Sequence, residues 1–152
     1  MMKDIREVYD PDQSWGWGSY DPMLESMGYE IKVQVDDCDY QGDSRLLLKD
    51  GERYGILIFG WGSCSGCDAL QACESIEEVG ELRDELNDDI RWFNSKQEAV
   101  QFFKEHDWRG DWLYWSYNRD ELRQYIIQSL GVLGVDEEEA ESIAGEIVGE
   151  GE

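Results

Sequence analysis

A chain of 152 residues that is 41% hydrophobic and 12% aromatic, with seven tryptophans, has enough apolar material for a sizeable core, which excludes global disorder. Its 36 acidic against 13 basic residues give a formal charge of −23. That sets it against direct binding of nucleic acid or anionic lipid, whose affinity comes from clustered Lys and Arg. No apolar run approaches a membrane span, and no stretch has the basic, apolar, small-residue order of a secretory leader, so a cytoplasmic protein is expected. In that reducing setting the four cysteines are thiols or metal ligands rather than disulfides.

Residues 1–28 hold both prolines, Pro11 and Pro22, and the tract from Ser14 to Tyr20 with Trp15 and Trp17. They read as an irregular opening with aromatic anchors. From Tyr29 to Asp36 apolar and polar residues alternate, which predicts a strand with one buried face. A second strand, Arg45 to Lys49, meets a third, Glu52 to Trp61, across Asp50-Gly51, a strong hairpin signal expected as a type I′ turn. The three form an antiparallel meander.

Ser75-Ile76-Glu77-Glu78 is a capping box, and Ile76, Val79, Leu82, Leu86 and Ile90 then follow helical spacing. Arg91-Trp92-Phe93 can add a short fourth strand. Ser95-Lys96-Gln97-Glu98 is a second capping box, opening a helix with Val100, Phe102 and Phe103 that runs towards His106. Trp108 to Trp115, which includes Trp112, is an aromatic loop or strand. A third helix starts near Asn118 with Leu122, Tyr125, Ile126 and Leu130. Asp136 to Glu139 caps a last helix bearing Ala140, Ile143, Ala144 and Ile147. Residues 134–152 are thus an acidic helix with a frayed tail from Gly149. The expected architecture is a single α+β domain over 1–152, a three-stranded antiparallel meander with room for a fourth short strand, packed by three to four helices.

The stretch Gly60 to Cys73, GWGSCSGCDALQAC, admits four readings. Strand, Cys64-x-x-Cys67, helix is the order of a thioredoxin-like redox site, but no βαβ unit precedes it and no proline follows Pro22. Gly62-x-Cys64-x-Gly66 resembles a nucleophile elbow with His106 downstream, although the chain is too short for that fold's parallel sheet. Cys38, Cys64, Cys67 and Cys73 together offer four thiolates to zinc. The fourth reading is a tight corner in which small residues turn a strand into a helix and the cysteines fill space.

The acidic residues point to binding rather than catalysis. The predicted helix from Ile76 carries Glu77, Glu78, Glu81, Asp84, Glu85, Asp88 and Asp89, a ladder of negative charge on a rigid support. Such a ladder can imitate a nucleic-acid backbone and compete for the Lys and Arg groove of a nucleic-acid-binding protein.

Small, acidic, rich in tryptophan and carrying WGSCSGCDAL, the chain resembles a group of small proteins encoded by bacteriophages. The resemblance implies a setting in the host cytoplasm and an action on host machinery of the anti-restriction or anti-CRISPR kind, where several inhibitors look like DNA mimics. It assigns no functional residue. The expectation is a non-enzymatic inhibitor of a basic-surfaced, nucleic-acid-binding protein, with no direct nucleic-acid or membrane contact. The alternative is a small zinc- or thiol-dependent protein using Cys38, Cys64, Cys67 and Cys73.

Overall fold

The structure, a computed structural model, describes residues 2–9, 20–37, 42–61, 69–106, 108 and 119–148. Trp15, Trp17, Trp112, Trp115, Cys38, Cys64, Cys67 and the tail from Gly149 lie outside the described residues. Four strands, β1 (Glu30–Asp36), β2 (Gly42–Asp50), β3 (Arg53–Trp61) and β4 (Arg91–Phe93), form one antiparallel sheet whose spatial order is the chain order. The expected α+β class and the short fourth strand are both present.

Both faces of this sheet are covered. Leu46, Leu48, Leu57 and Phe59 face a layer made by the short 3₁₀ turn Ile5–Glu7, α1 (Asp21–Ser26), α2 (Ala69–Ala72) and α3 (Ile76–Asp88). Val33, Val35, Leu47, Tyr54 and Ile56 face a second layer of α4 (Lys96–Glu105), Trp108, α5 (Arg119–Val132) and α6 (Glu137–Val148). This explains why Arg45-Leu46-Leu47-Leu48 is buried without interruption, as a strand covered on both sides must be.

Two features of the sheet depart from the expected pattern. In β1 the register shifts between Ile31 and Val33, a bulge that gives two residues to one partner position. It sends Ile31 to the α3 layer while Val33 and Val35 face α5, so the alternating tract serves two cores rather than one. In the hairpin, Asp50 pairs with Arg53, leaving Gly51 and Glu52 as the turn. Only Gly51 has positive φ, +63°, which fits a type II′ turn with glycine first and not type I′.

The helix starts follow local chemistry closely. Ser75 Oγ accepts from Glu78 N at 3.2 Å, and Ser95 Oγ accepts from Glu98 N at 3.2 Å. The two glutamates reach one residue further back than the usual box, to Glu74 N at 2.7 Å and Asn94 N at 2.9 Å. Asp136 Oδ1 caps α6 by accepting from Glu139 N. Within the opening expected to be irregular, α1 forms because Pro22 stands in the first helical turn, where its missing N–H costs nothing. Met23, Leu24 and Met27 then plug the first core.

Gly55 permits a close approach inside β3. A Cβ there would meet Ile90 Cγ2 at 2.7 Å and the Trp92 ring at 2.8 Å. The Trp92 ring is itself held edge-on by Tyr29 and covered by the Arg53 guanidinium, 4.2 Å from its centroid. Gly55→Ala is therefore expected to lower stability by about 1–3 kcal/mol through overpacking, despite alanine's better strand propensity. Urea unfolding of the two proteins checks this; equal midpoints would show that Trp92 moves aside freely.

Candidate partner-binding surface

On α3 the buried residues Ile76, Val79 and Leu86 mark one side of the helix. Glu77, Glu78, Glu81, Asp84, Glu85 and Asp88 are all exposed, and the helical period gathers them within one broad arc opposite, with exposed Asp89 as the C-cap. The sequence-derived ladder is thus one continuous face. Arg83, the helix's own cation, turns inward and donates to Lys3 O at 2.5 Å and Ser26 Oγ at 3.3 Å, pinning the N-terminal segment to α3. It reaches Asp84 only at 3.8 Å. Arg6 pairs with Glu77 at 2.5 Å, and Glu78 is held by its cap. Among the described residues Glu81, Glu85, Asp88 and Asp89 make no ion pair.

From Glu77 to Asp89 the face runs about 18 Å, so its seven carboxylates fall on average about every 3 Å. Discounting Arg6 and Arg83 leaves five charges over that length, about 4.5 Å apart, against roughly 3.4 Å per phosphate along one strand of a duplex. Its position on the helix is costly. Glu85, Asp88 and Asp89 sit at the C-terminal end, where the helix dipole disfavours anions, and no basic residue lies in the last turn. By contrast, Glu137, Glu138 and Glu139 of α6 lie in a first turn, where the same dipole favours them. The α6 acids have a structural account that the end of α3 lacks.

The ladder leads into a cleft of about 410 Å³ lined by Ile56, Ile58, Asp88, Asp89, Ile90, Arg91, Phe102, His106 and Trp108. Ile56 and Ile58 supply the sheet wall, and the end of α4 supplies the aromatic one. The Phe102 ring stacks on His106 with centroids 4.5 Å apart, and the Arg91 guanidinium lies 5.4 Å from the Phe102 centroid. Trp108, 1% exposed, meets His106 edge-on at 4.8 Å and donates Nε1–H to Phe103 O at 3.0 Å. His106 is therefore part of an aromatic stack, while Cys64, the nucleophile of the elbow reading, lies outside the described residues.

A third feature was not anticipated. Arg45, 1% exposed, donates Nη1–H to Asp37 Oδ1 at 2.7 Å and lies 3.9 Å from Asp43 Oδ2. Asp37 Oδ2 also accepts from Asp43 N at 2.7 Å, and Asp37 N donates to Asp43 O at 3.0 Å. Burial pushes the Asp43 carboxyl up to about 6, against the pull of Arg45 and with the help of Asp37. Among the described residues Arg45 Nε and Asp43 Oδ2 are buried and find no hydrogen-bond partner. The signal was in the sequence: Arg45 has the same parity as inward-facing Leu47, so it had to be paired.

Of the proposed zinc ligands, Cys73 alone is described. It is half-buried, and its Sγ donates to Ala69 O at 3.4 Å. Asp37 and Trp61, the last described residues before Cys38 and before the Cys64 stretch, stand at the same end of the sheet with β2 between them. Among the described residues no three His, Cys, Asp or Glu side chains are grouped to hold a metal ion, and no helix is long and apolar enough to cross a membrane. No protein-family model, curated protein or solved structure matches the chain.

Proposed function

We propose that the chain is a non-enzymatic inhibitor that occupies the nucleic-acid-binding groove of a basic protein, in the manner of a DNA mimic directed at a restriction or CRISPR nuclease. The observation that carries this reading is the outer face of α3, whose net charge spacing is of the same order as that of a nucleic-acid strand and which retains anions where its own dipole opposes them. A surface kept at a cost to stability is the mark of a surface in use. The formal charge of −23 would steer such a partner in rapidly, and salt would weaken the attraction.

The test is displacement of labelled duplex DNA from purified restriction and RNA-guided nucleases over a salt series. Displacement that falls steeply with salt is expected for at least one. No displacement from any of them at low salt would sink the reading. The variant Glu81→Gln, Glu85→Gln, Asp88→Asn, Asp89→Asn should bind the responsive nuclease at least about a hundredfold more weakly, with a shallower salt slope. The same variant should be more stable, by about 1 kcal/mol, because three of its four changes relieve the end of the α3 dipole. Stability and binding moving in opposite directions would separate a used surface from a merely solvated one.

A further inference from the structure

The cleft at the end of α3 contains a length of strand that has no neighbouring strand on one side among the described residues. Asp50 and Arg53 close a two-residue hairpin, and such a closing pair exchanges both backbone hydrogen bonds. Alternation then makes Leu48 with Gly55, Leu46 with Leu57, and Ser44 with Phe59 the bonded pairs. Tyr54, Ile56, Ile58 and Gly60 must therefore turn their N–H and C=O groups away from β2. β4 covers this side at Tyr54 and Ile56, opposite Phe93 and Arg91, and goes no further. Among the described residues no strand lies beside Ile58 and Gly60; Ile58 is half-buried in the cleft and Gly60 is exposed.

We propose that this edge is completed by an extended, lysine- or arginine-bearing segment of the partner, which adds to β3 as a strand in line with β4. The inference rests on the basic-partner reading above and specifies how that partner is held. Successive side chains of an added strand point to opposite faces of the sheet. On the α4 side they meet Ile58, Phe102 and His106, which suits β-branched or other apolar residues. On the α3 side they meet Asp88 and Asp89, two exposed carboxylates without an ion pair among the described residues, which suits cations. Arg91, stacked on Phe102, marks the end of the track, where a further cation is disfavoured. Main-chain bonds supply affinity in this mode of recognition, and the alternating side chains supply selectivity.

The probe is an octapeptide of alternating lysine and threonine, titrated into the intact chain at low salt and compared with the same peptide N-methylated at every backbone nitrogen, which leaves neither edge able to donate. The charges of the two are identical, and only the first can pair along a strand edge. Binding of the first at least tenfold tighter than the second is expected, with slowed hydrogen exchange at the Ile58 and Gly60 amides. Asp88→Asn with Asp89→Asn, both at exposed positions, should weaken it by about tenfold. Equal affinity of the two peptides, or unchanged exchange at Ile58 and Gly60, overturns strand addition while leaving the basic-partner reading intact. If neither peptide binds and polylysine also fails at low salt, the acidic surface itself is not a binding site and both proposals fall.

Discussion

Arg45→Met is expected to destabilise the protein by about 3–5 kcal/mol at neutral pH, a large part of the stability of a chain this size. The substitution keeps most of the side-chain volume on a strand buried from both faces. It removes the only cation near Asp37 and Asp43 among the described residues, and both carboxylates are almost wholly buried, 4% and 2% exposed. Two anions would then share a dry site. The pH dependence follows from Asp43, whose carboxyl already takes its proton at about 6 in the folded chain, above its ordinary value. A group raised in this way binds protons more tightly folded than unfolded, so acid favours the fold between the two values. Without Arg45 that tendency strengthens. The deficit of the variant should be greatest at pH 7 and above and should shrink as pH falls through 6 towards 4. Adding Asp37→Asn and Asp43→Asn should recover most of the loss, because Asn can still accept the Asp43 backbone N–H. Thermal unfolding from pH 4 to 8 measures all three; a pH-independent deficit would show that packing and not charge is lost.

Trp108→Ala should cost about 3–5 kcal/mol as well, for a different reason. The indole is stacked on Phe103 at 5.4 Å and set edge-on to Phe102 and Tyr125 at 5.8 and 6.3 Å, joining α4, α5 and the sheet through one ring system. Removing it leaves a cavity among side chains that are fixed from several directions. Trp108→Phe keeps much of the contact and gives up the bond from Nε1 to Phe103 O, so about 1–2 kcal/mol is expected. Far-UV circular dichroism in urea distinguishes the two. Because Trp108 also lines the cleft, the alanine variant should lose peptide binding even where it remains folded.

The elements with strong local chemistry were legible in the sequence. The two capping boxes, the Asp50-Gly51 hairpin signal and the apolar spacing of Leu122, Tyr125, Ile126 and Leu130 each locate an element within a residue or two. What depended on long-range placement was not. The bulge after Ile31 divides a uniform alternation between two cores, and nothing in the alternation announces it. The turn slipped by one residue because only Gly51 takes positive φ, which the II′ geometry satisfies and I′ does not. In the candidate site, the α3 ladder was readable because helical period alone defines a face. The cleft was not, since Ile58, Asp89 and His106 are far apart in the chain and meet only when β3, α3 and α4 are assembled.

The order of the strands has a kinetic consequence. Each strand of β1, β2 and β3 pairs with its neighbour in sequence, so the central hairpins close short loops and lose little chain entropy before contacts reward them. The layer containing α1 to α3 is supplied largely by the residues before β1 and directly after β3, and the layer containing α4 to α6 by the chain from α4 onward. Once the meander exists, the two layers can be laid down from opposite ends of the chain. Emerging from a ribosome, the first 90 residues already contain the strands β1 to β3 and the helices of one core, so half of the molecule can begin to pack while α4, α5 and α6 are still being made.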